Sequence, residues 1–240
     1  MQDRFSNPKP IHILCFGDSL TAGYSMYGMK FTPYSAIMKK TLEGTIAGKR
    51  ELHFHVDTNG VSGQLVTNGF RERIANLLGL TGGPIDTATQ ARECPYDWVV
   101  FLGGTNDLAY SNSPTKIYQE IKAITDIPLA TGARVLLLTV PECETKNEKL
   151  DRARGDLNGL LKSDARDGVF SLDLYAKIPY HDMPEEEREK IWDDGLHFTP
   201  EGYERVGSLV AQQLAEILND DVGSGIKQDP SVGSAKAENP

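Results

Sequence analysis

Short apolar runs alternate with stretches of helical period along this chain. Five runs have strand length: Ile11–Phe16, Leu52–Val56, Trp98–Leu102, Val135–Val140 and Val169–Leu172. Between them the apolar positions change spacing. Val66, Phe70, Ile74 and Leu77 recur on one helical face, and so do Ile117, Ile121 and Ile124. Leu150, Ala153, Leu157 and Leu160 form another such face, and Tyr203, Val206, Val210, Leu214 and Ile217 the last. Strands alternating with helices predict an α/β fold with a parallel sheet covered on both sides. The run RVLLLTV is almost uniformly apolar, as a strand buried on both faces requires.

No internal repeat and no Pro/Gly-rich linker interrupts residues 10–218, which predicts one domain. Residues 1–10 read as an N-terminal arm and residues 11–219 as the domain. From 220 to 240 the chain is polar and rich in Gly, Ser and Pro, a composition that predicts a disordered tail.

With 240 residues, 39% of them hydrophobic, the chain can bury one substantial core. A net charge of −9 argues against non-specific nucleic-acid binding and against attraction to anionic lipid. The three cysteines, Cys15, Cys94 and Cys143, are far apart and form no Cys-x-x-Cys pair. That usage predicts no disulfide framework and suits a reducing compartment. Cys15 lies inside an apolar run and reads as a small buried hydrophobe.

The amino terminus MQDRFSNPKP has no apolar core of a signal peptide, and no stretch reaches the roughly 18 apolar residues of a membrane span. A cytoplasmic protein is the expectation. His53 and His55 share a strand face without a third ligand nearby in sequence. Gly82-Gly83-Pro84 lacks the Lys-Ser/Thr of a phosphate loop. Glu185, Glu186 and Glu187, with Arg188 and Lys190, read as a solvated helical turn.

Four short blocks carry candidate chemistry. Gly17-Asp18-Ser19-Leu20 follows the first apolar run, so Ser19 is presented at the carboxyl edge of the sheet, where open α/β sheets bind ligands. A serine here is either a turn or N-cap residue or a nucleophile awaiting a base. Threonine at position 21 departs from the Gly-x-Ser-x-Gly elbow. Val61-Ser62-Gly63 follows the second run, where Gly63 is either a plain loop glycine or a backbone donor at a helix start. Gly103-Gly104-Thr105-Asn106-Asp107 follows the third, where Asn106 is either a corner residue or an NH₂ donor for a developing oxyanion.

The last block is Asp194-Gly195-Leu196-His197, ahead of a helix with Thr199 as its predicted cap and Pro200 at its first position. Asp194 can fold back to hold one ring nitrogen of His197, which leaves the other to accept the Ser19 proton. Asp193 reads as a solvated turn charge.

These ordered blocks, GDSL, the glycine of VSG, GGTND and DGLHFT, resemble the SGNH hydrolases, the GDSL esterase/lipase family. The resemblance runs from Ile11 to about Leu218. It implies a three-layer α/β/α sandwich with a five-stranded parallel sheet of flavodoxin-like layout. It implies Ser19 as nucleophile, His197 as base and Asp194 as orienter. It also implies an oxyanion hole from the Ser19 and Gly63 amides and the Asn106 side chain, and no metal or organic cofactor. The expected partner is a small-molecule ester.

Tyr24, Met26, Tyr27, Met29 and Phe31 follow Ser19 and either line an apolar pocket or fold onto the core. Ala109, Tyr110, Pro141 and Glu142 fall on the same rim, and Pro179, Tyr180 and Met183 offer another wall. Two readings rival hydrolysis. One is acyl transfer to an alcohol or sugar on the same site. The other is a small-molecule binding module without catalysis, since fold alone does not settle function.

Overall fold

The computed structural model describes residues 10–46, 52–80 and 95–223. Strand β1 (Ile11–Gly17) runs into the short helix α1 (Ser19–Ala22). A small hairpin follows, β2 (Tyr24–Ser25) and β3 (Lys30–Phe31), then helix α2 (Tyr34–Ile46). Strand β4 (Phe54–Gly60), helix α3 (Phe70–Leu77), strand β5 (Trp98–Leu102) and helices α4 (Thr105–Ala109) and α5 (Pro114–Ala130) come next. Strand β6 (Arg134–Leu138), helix α6 (Glu148–Lys162) and strand β7 (Val169–Leu172) complete the sheet. Helices α7 (Leu174–Lys177), α8 (Glu185–Ile191) and α9 (Pro200–Gly223) close the chain.

The five main strands form one parallel sheet in the order β4-β1-β5-β6-β7. Strand side chains alternate between two cores, as the period of two demands. Ile13 and Cys15 of β1 join Tyr34, Met38 and Leu42 of α2 and Val206, Val210 and Leu214 of α9. Leu14 and Phe16 point the other way, to Phe70 and Ile74 of α3, Ile117 and Ile121 of α5 and Leu157 of α6. Helices therefore cover both faces, and the fold is the expected α/β/α sandwich. The strand order reverses beside β1, with β4 on one side and β5 on the other. That is the switch point where such sheets leave a crevice at their carboxyl ends.

Some element boundaries move. The second strand spans Phe54–Gly60, beyond the apolar run, because its pairing with β1 is carried by backbone at a sheet edge. Its polar residues Asp57, Thr58 and Asn59 leave no apolar trace there. Val66 is buried but lies outside α3, which begins only at Phe70. On α6 the buried face holds Arg154, Leu157, Asn158 and Leu161, with Leu160 only partly covered.

Helix α9 continues to Gly223, past the predicted domain end at Asn219. The rest of the predicted tail, the arm before residue 10, the Gly82-Gly83-Pro84 stretch and Cys94 lie outside the described residues. Cys15 is fully buried, and burial pushes its thiol up to about 12.

Candidate active site

The first block is shaped by close packing. An added Cβ on Gly17 would lie 2.2 Å from the Thr21 hydroxyl and 2.3 Å from the Leu102 carbonyl, so the end of β1 admits only glycine. The Asp18 side chain then accepts a hydrogen bond from the Leu20 amide at 3.0 Å and caps α1. Ser19 is thus the first helical residue, and the cap is its neighbour.

The last block reaches the same place from the far end of the chain. Asp194 Oδ1 accepts from the Leu196 amide at 3.1 Å and from the His197 amide at 2.8 Å. Its Oδ2 lies 2.8 Å from His197 Nδ1. Burial alone would raise the Asp194 carboxyl, but the His197 amide and ring and the Leu196 amide hold it below the ordinary value. An ionised carboxylate only accepts, so Nδ1 carries the proton. His197 Nε2 then turns its lone pair to Ser19 Oγ, 2.9 Å away. Behind this turn Thr199 Oγ1 accepts from Gly202 at 3.1 Å and caps α9 as the sequence predicts.

Asp193 is not a free turn charge. Its Oδ2 accepts from the Met26 amide at 2.6 Å, and its own amide donates to the His197 carbonyl at 2.9 Å. The histidine turn is thereby tied to the β2–β3 hairpin. The Tyr203 hydroxyl adds a bond to the Tyr24 carbonyl at 2.7 Å, and the Tyr24 ring rests against the imidazole with centroids 4.4 Å apart.

Gly63 is not at a helix start. It sits in a turn closed by Gln64 N–H to the Val61 carbonyl, with φ of 75°, a left-handed conformation that favours glycine. The Val61 amide donates to the Gly17 carbonyl at 3.1 Å, joining this turn to the Ser19 block. Asn106, in the first turn of α4, donates from Nδ2 to the Gln64 carbonyl at 3.1 Å, next to Gly63 in sequence. The structure therefore brings Ser19, Gly63, Asn106, Asp194 and His197 to one edge of the sheet.

Two further residues complete this network, Asp107 of the third block and Arg73 of α3. Asp107 is fully buried and accepts from the Val66 amide at 2.8 Å, the Thr67 amide at 3.1 Å and the Thr67 hydroxyl at 2.7 Å. It clamps the loop that follows Gly63. Arg73 of α3 donates from Nη2 to the Gly17 carbonyl at 2.8 Å and from Nη1 to the Asn59 carbonyl at 2.6 Å, with Asn59 Oδ1 as a further acceptor. Its guanidinium lies 4.0 Å from the Phe16 ring centroid and 4.6 Å from that of Phe70. Burial pulls its pKa down to about 10, against the pull of Asp18. In sequence Arg73 stands three residues after Phe70, on the apolar face of α3.

The predicted walls divide. Tyr110 is exposed, whereas Met183 is buried in the core. Glu142 is a brace: its carboxylate accepts from the Tyr180 amide at 2.6 Å, the His181 amide at 3.1 Å and the Tyr175 hydroxyl at 3.0 Å. Among the described residues no group of three or more His, Cys, Asp or Glu is placed to hold a metal ion. The His55 ring stacks on His12 at 5.0 Å. No described helix is long and apolar enough to cross a membrane.

A hydroxyl, an imidazole and a carboxylate in series, at the carboxyl edge of a parallel α/β sheet, have the geometry of a hydrolase site. Residues 15–205 match the GDSL-like Lipase/Acylhydrolase family. The chain belongs to that family and is a carboxylic ester hydrolase.

Solved structures share the fold at low identity. A lipase/acylhydrolase from Enterococcus faecalis aligns with a TM-score of 0.58 and 19% identity, over 86% of this chain and 96% of its own. A member of the lipolytic G-D-S-L family from Veillonella parvula gives 0.61 and 20%, over 85% and 97%. A carbohydrate acetylesterase from Sinorhizobium meliloti gives 0.57 and 18%, over 86% and 99%. No curated protein matches the chain by sequence.

Proposed function

We propose that the chain cleaves carboxylic esters through an acyl-enzyme on Ser19. His197 Nε2 takes the hydroxyl proton as Oγ forms a bond to the ester carbonyl carbon. The carbonyl electron pair moves to oxygen, and the resulting oxyanion is met by the Ser19 and Gly63 amides and Asn106 Nδ2. When the intermediate collapses, the alcohol leaves with the proton from His197. Water then repeats the sequence on the acyl-enzyme and releases the carboxylic acid. Asp194 keeps the imidazole in the tautomer that accepts at Nε2 and stabilises the imidazolium that forms.

The observation that carries this reading is the 2.9 Å contact of His197 Nε2 with Ser19 Oγ, continued by 2.8 Å from Nδ1 to Asp194. A fluorophosphonate probe tests it. Wild type is expected to be labelled at Ser19 and to lose ester turnover, while Ser19→Ala takes no label. Equal labelling of Ser19→Ala would overturn the nucleophile.

A further inference from the structure

Among the described residues, the exposed large apolar side chains are Met26, Tyr27, Met29, Phe31, Val61 and Tyr110. They are not scattered. Each belongs to a segment bonded to the candidate site. The Met26 amide is held by Asp193, and the Phe31 ring meets the Tyr24 ring, which touches His197. The Val61 amide is bonded to Gly17, and the Tyr110 amide to Asn106 at 3.0 Å. Tyr27 and Met29 stand furthest out, at 83% and 78% exposure.

Backbone strain gathers in the same segments. The non-glycine residues with positive φ among those described are Met26 at 51°, Tyr27 at 56° and Ser111 at 59°. Bulky residues adopt that conformation at a cost, and it is retained where the surroundings require it. Exposed apolar surface collected at one place marks an interaction site more often than chance. Residues 26–31 carry a single charge, Lys30.

We propose that these side chains form an apolar collar that takes a large hydrocarbon part of the ester, on its acyl or its alcohol side. The collar favours such esters over acetyl esters of polar alcohols. This rests on the reaction proposed at Ser19. The two sources of hydrocarbon share one chemistry, and the experiment separates them.

Two substrate series are measured below their aggregation concentrations. One is p-nitrophenyl esters from acetate to decanoate, the other alkyl acetates from ethyl to decyl. Each is run on wild type and on the Tyr27→Asn/Met29→Gln double variant, asparagine being chosen because it tolerates positive φ. In wild type kcat/KM should rise about two- to fourfold per methylene in the first few members of one series. Which series rises tells whether the collar holds acyl group or alcohol. The double variant should lose at least about half of that logarithmic slope.

The slope is taken within one protein sample, so a loss of active enzyme shifts every point together and leaves it unchanged. A flat or falling profile in both series overturns the collar, and so does an unchanged slope in the variant. Faster turnover of an acetylated sugar than of every longer ester overturns it too. Hydrolysis with no length dependence removes the collar alone. Failure to hydrolyse any ester removes the collar and the Ser19 reaction together.

Discussion

His197 Nε2 stands 2.9 Å from Ser19 Oγ although 178 residues separate them in the chain. The serine is set by the end of β1 and the histidine by the turn before α9. Both are fixed locally by carboxylates, Asp18 on the Leu20 amide and Asp194 on the His197 amide. Both backbones are thereby held where the two side chains meet.

Asp194→Asn should lower kcat by about four orders of magnitude, because an amide next to Nδ1 permits the wrong imidazole tautomer. One amide oxygen remains for the Leu196 and His197 N–H groups, so the turn should survive. Steady-state kinetics beside a thermal melt check this. A variant with near wild-type kcat would remove Asp194 from the orienting role.

Asn106→Ala should lower kcat about 10²- to 10³-fold with little change in KM, as loss of one oxyanion donor does. The substitution also frees the Gln64 carbonyl, which can turn to water at this half-exposed position. A rise in KM at constant kcat would mean that Asn106 serves ground-state binding only.

Arg73→Met keeps an unbranched side chain against the Phe16 and Phe70 rings but removes the donors to Gly17 and Asn59. The expected loss of stability is about 2–4 kcal/mol, read from urea unfolding. Arg73→Lys should recover part of it. Unfolding at the wild-type midpoint for both variants would show that these carbonyls find other partners.

Burial pushes the Asp18 carboxyl up to about 7, with the Asp107 charge adding to the rise and the Leu20 amide and Arg73 opposing it. Between about pH 4, where the unfolded carboxyl titrates, and pH 7, the folded state holds a proton that the unfolded chain has released. The stability from this group is therefore full at low pH and is lost as pH rises through that window. Asp18→Asn, which keeps a capping oxygen, should be free of this loss. The difference in Tm between variant and wild type should grow in favour of the variant from pH 4 to 7 and then level off. The depressed carboxyls of Asp194 and Glu142 act below this window and are common to both proteins. A Tm difference independent of pH would show that Asp18 is ionised throughout.

How much could be read beforehand varied with the kind of signal. The β1 and β5 runs are apolar because helices cover both faces, and that burial writes itself into composition. The edge strand β4 is hidden in part because backbone pairing with β1 needs no apolar side chains. The apolar period predicts Leu160 inside, but Leu161 takes the place, on the buried face that Arg154 and Asn158 share. Asn158 is satisfied there by the Val140 backbone, its Oδ1 accepting at 2.8 Å and its Nδ2 donating at 2.9 Å.

What the chain alone determines is local: the alternation of strand and helix, the cap at Thr199 with Pro200 behind it, and short polar blocks, three after apolar runs and one ahead of the last helix. These depend on neighbours in sequence, so spacing records them. The tertiary structure alone decides that Asp107 clamps the loop after Gly63, that Arg73 holds the ends of β1 and β4, and that Asp193 belongs to the hairpin instead of to water. A buried polar group is stable only with a partner, and here the partners lie from 14 to 167 residues away. No periodicity carries that information. It exists only once the sheet has brought those distant backbones together.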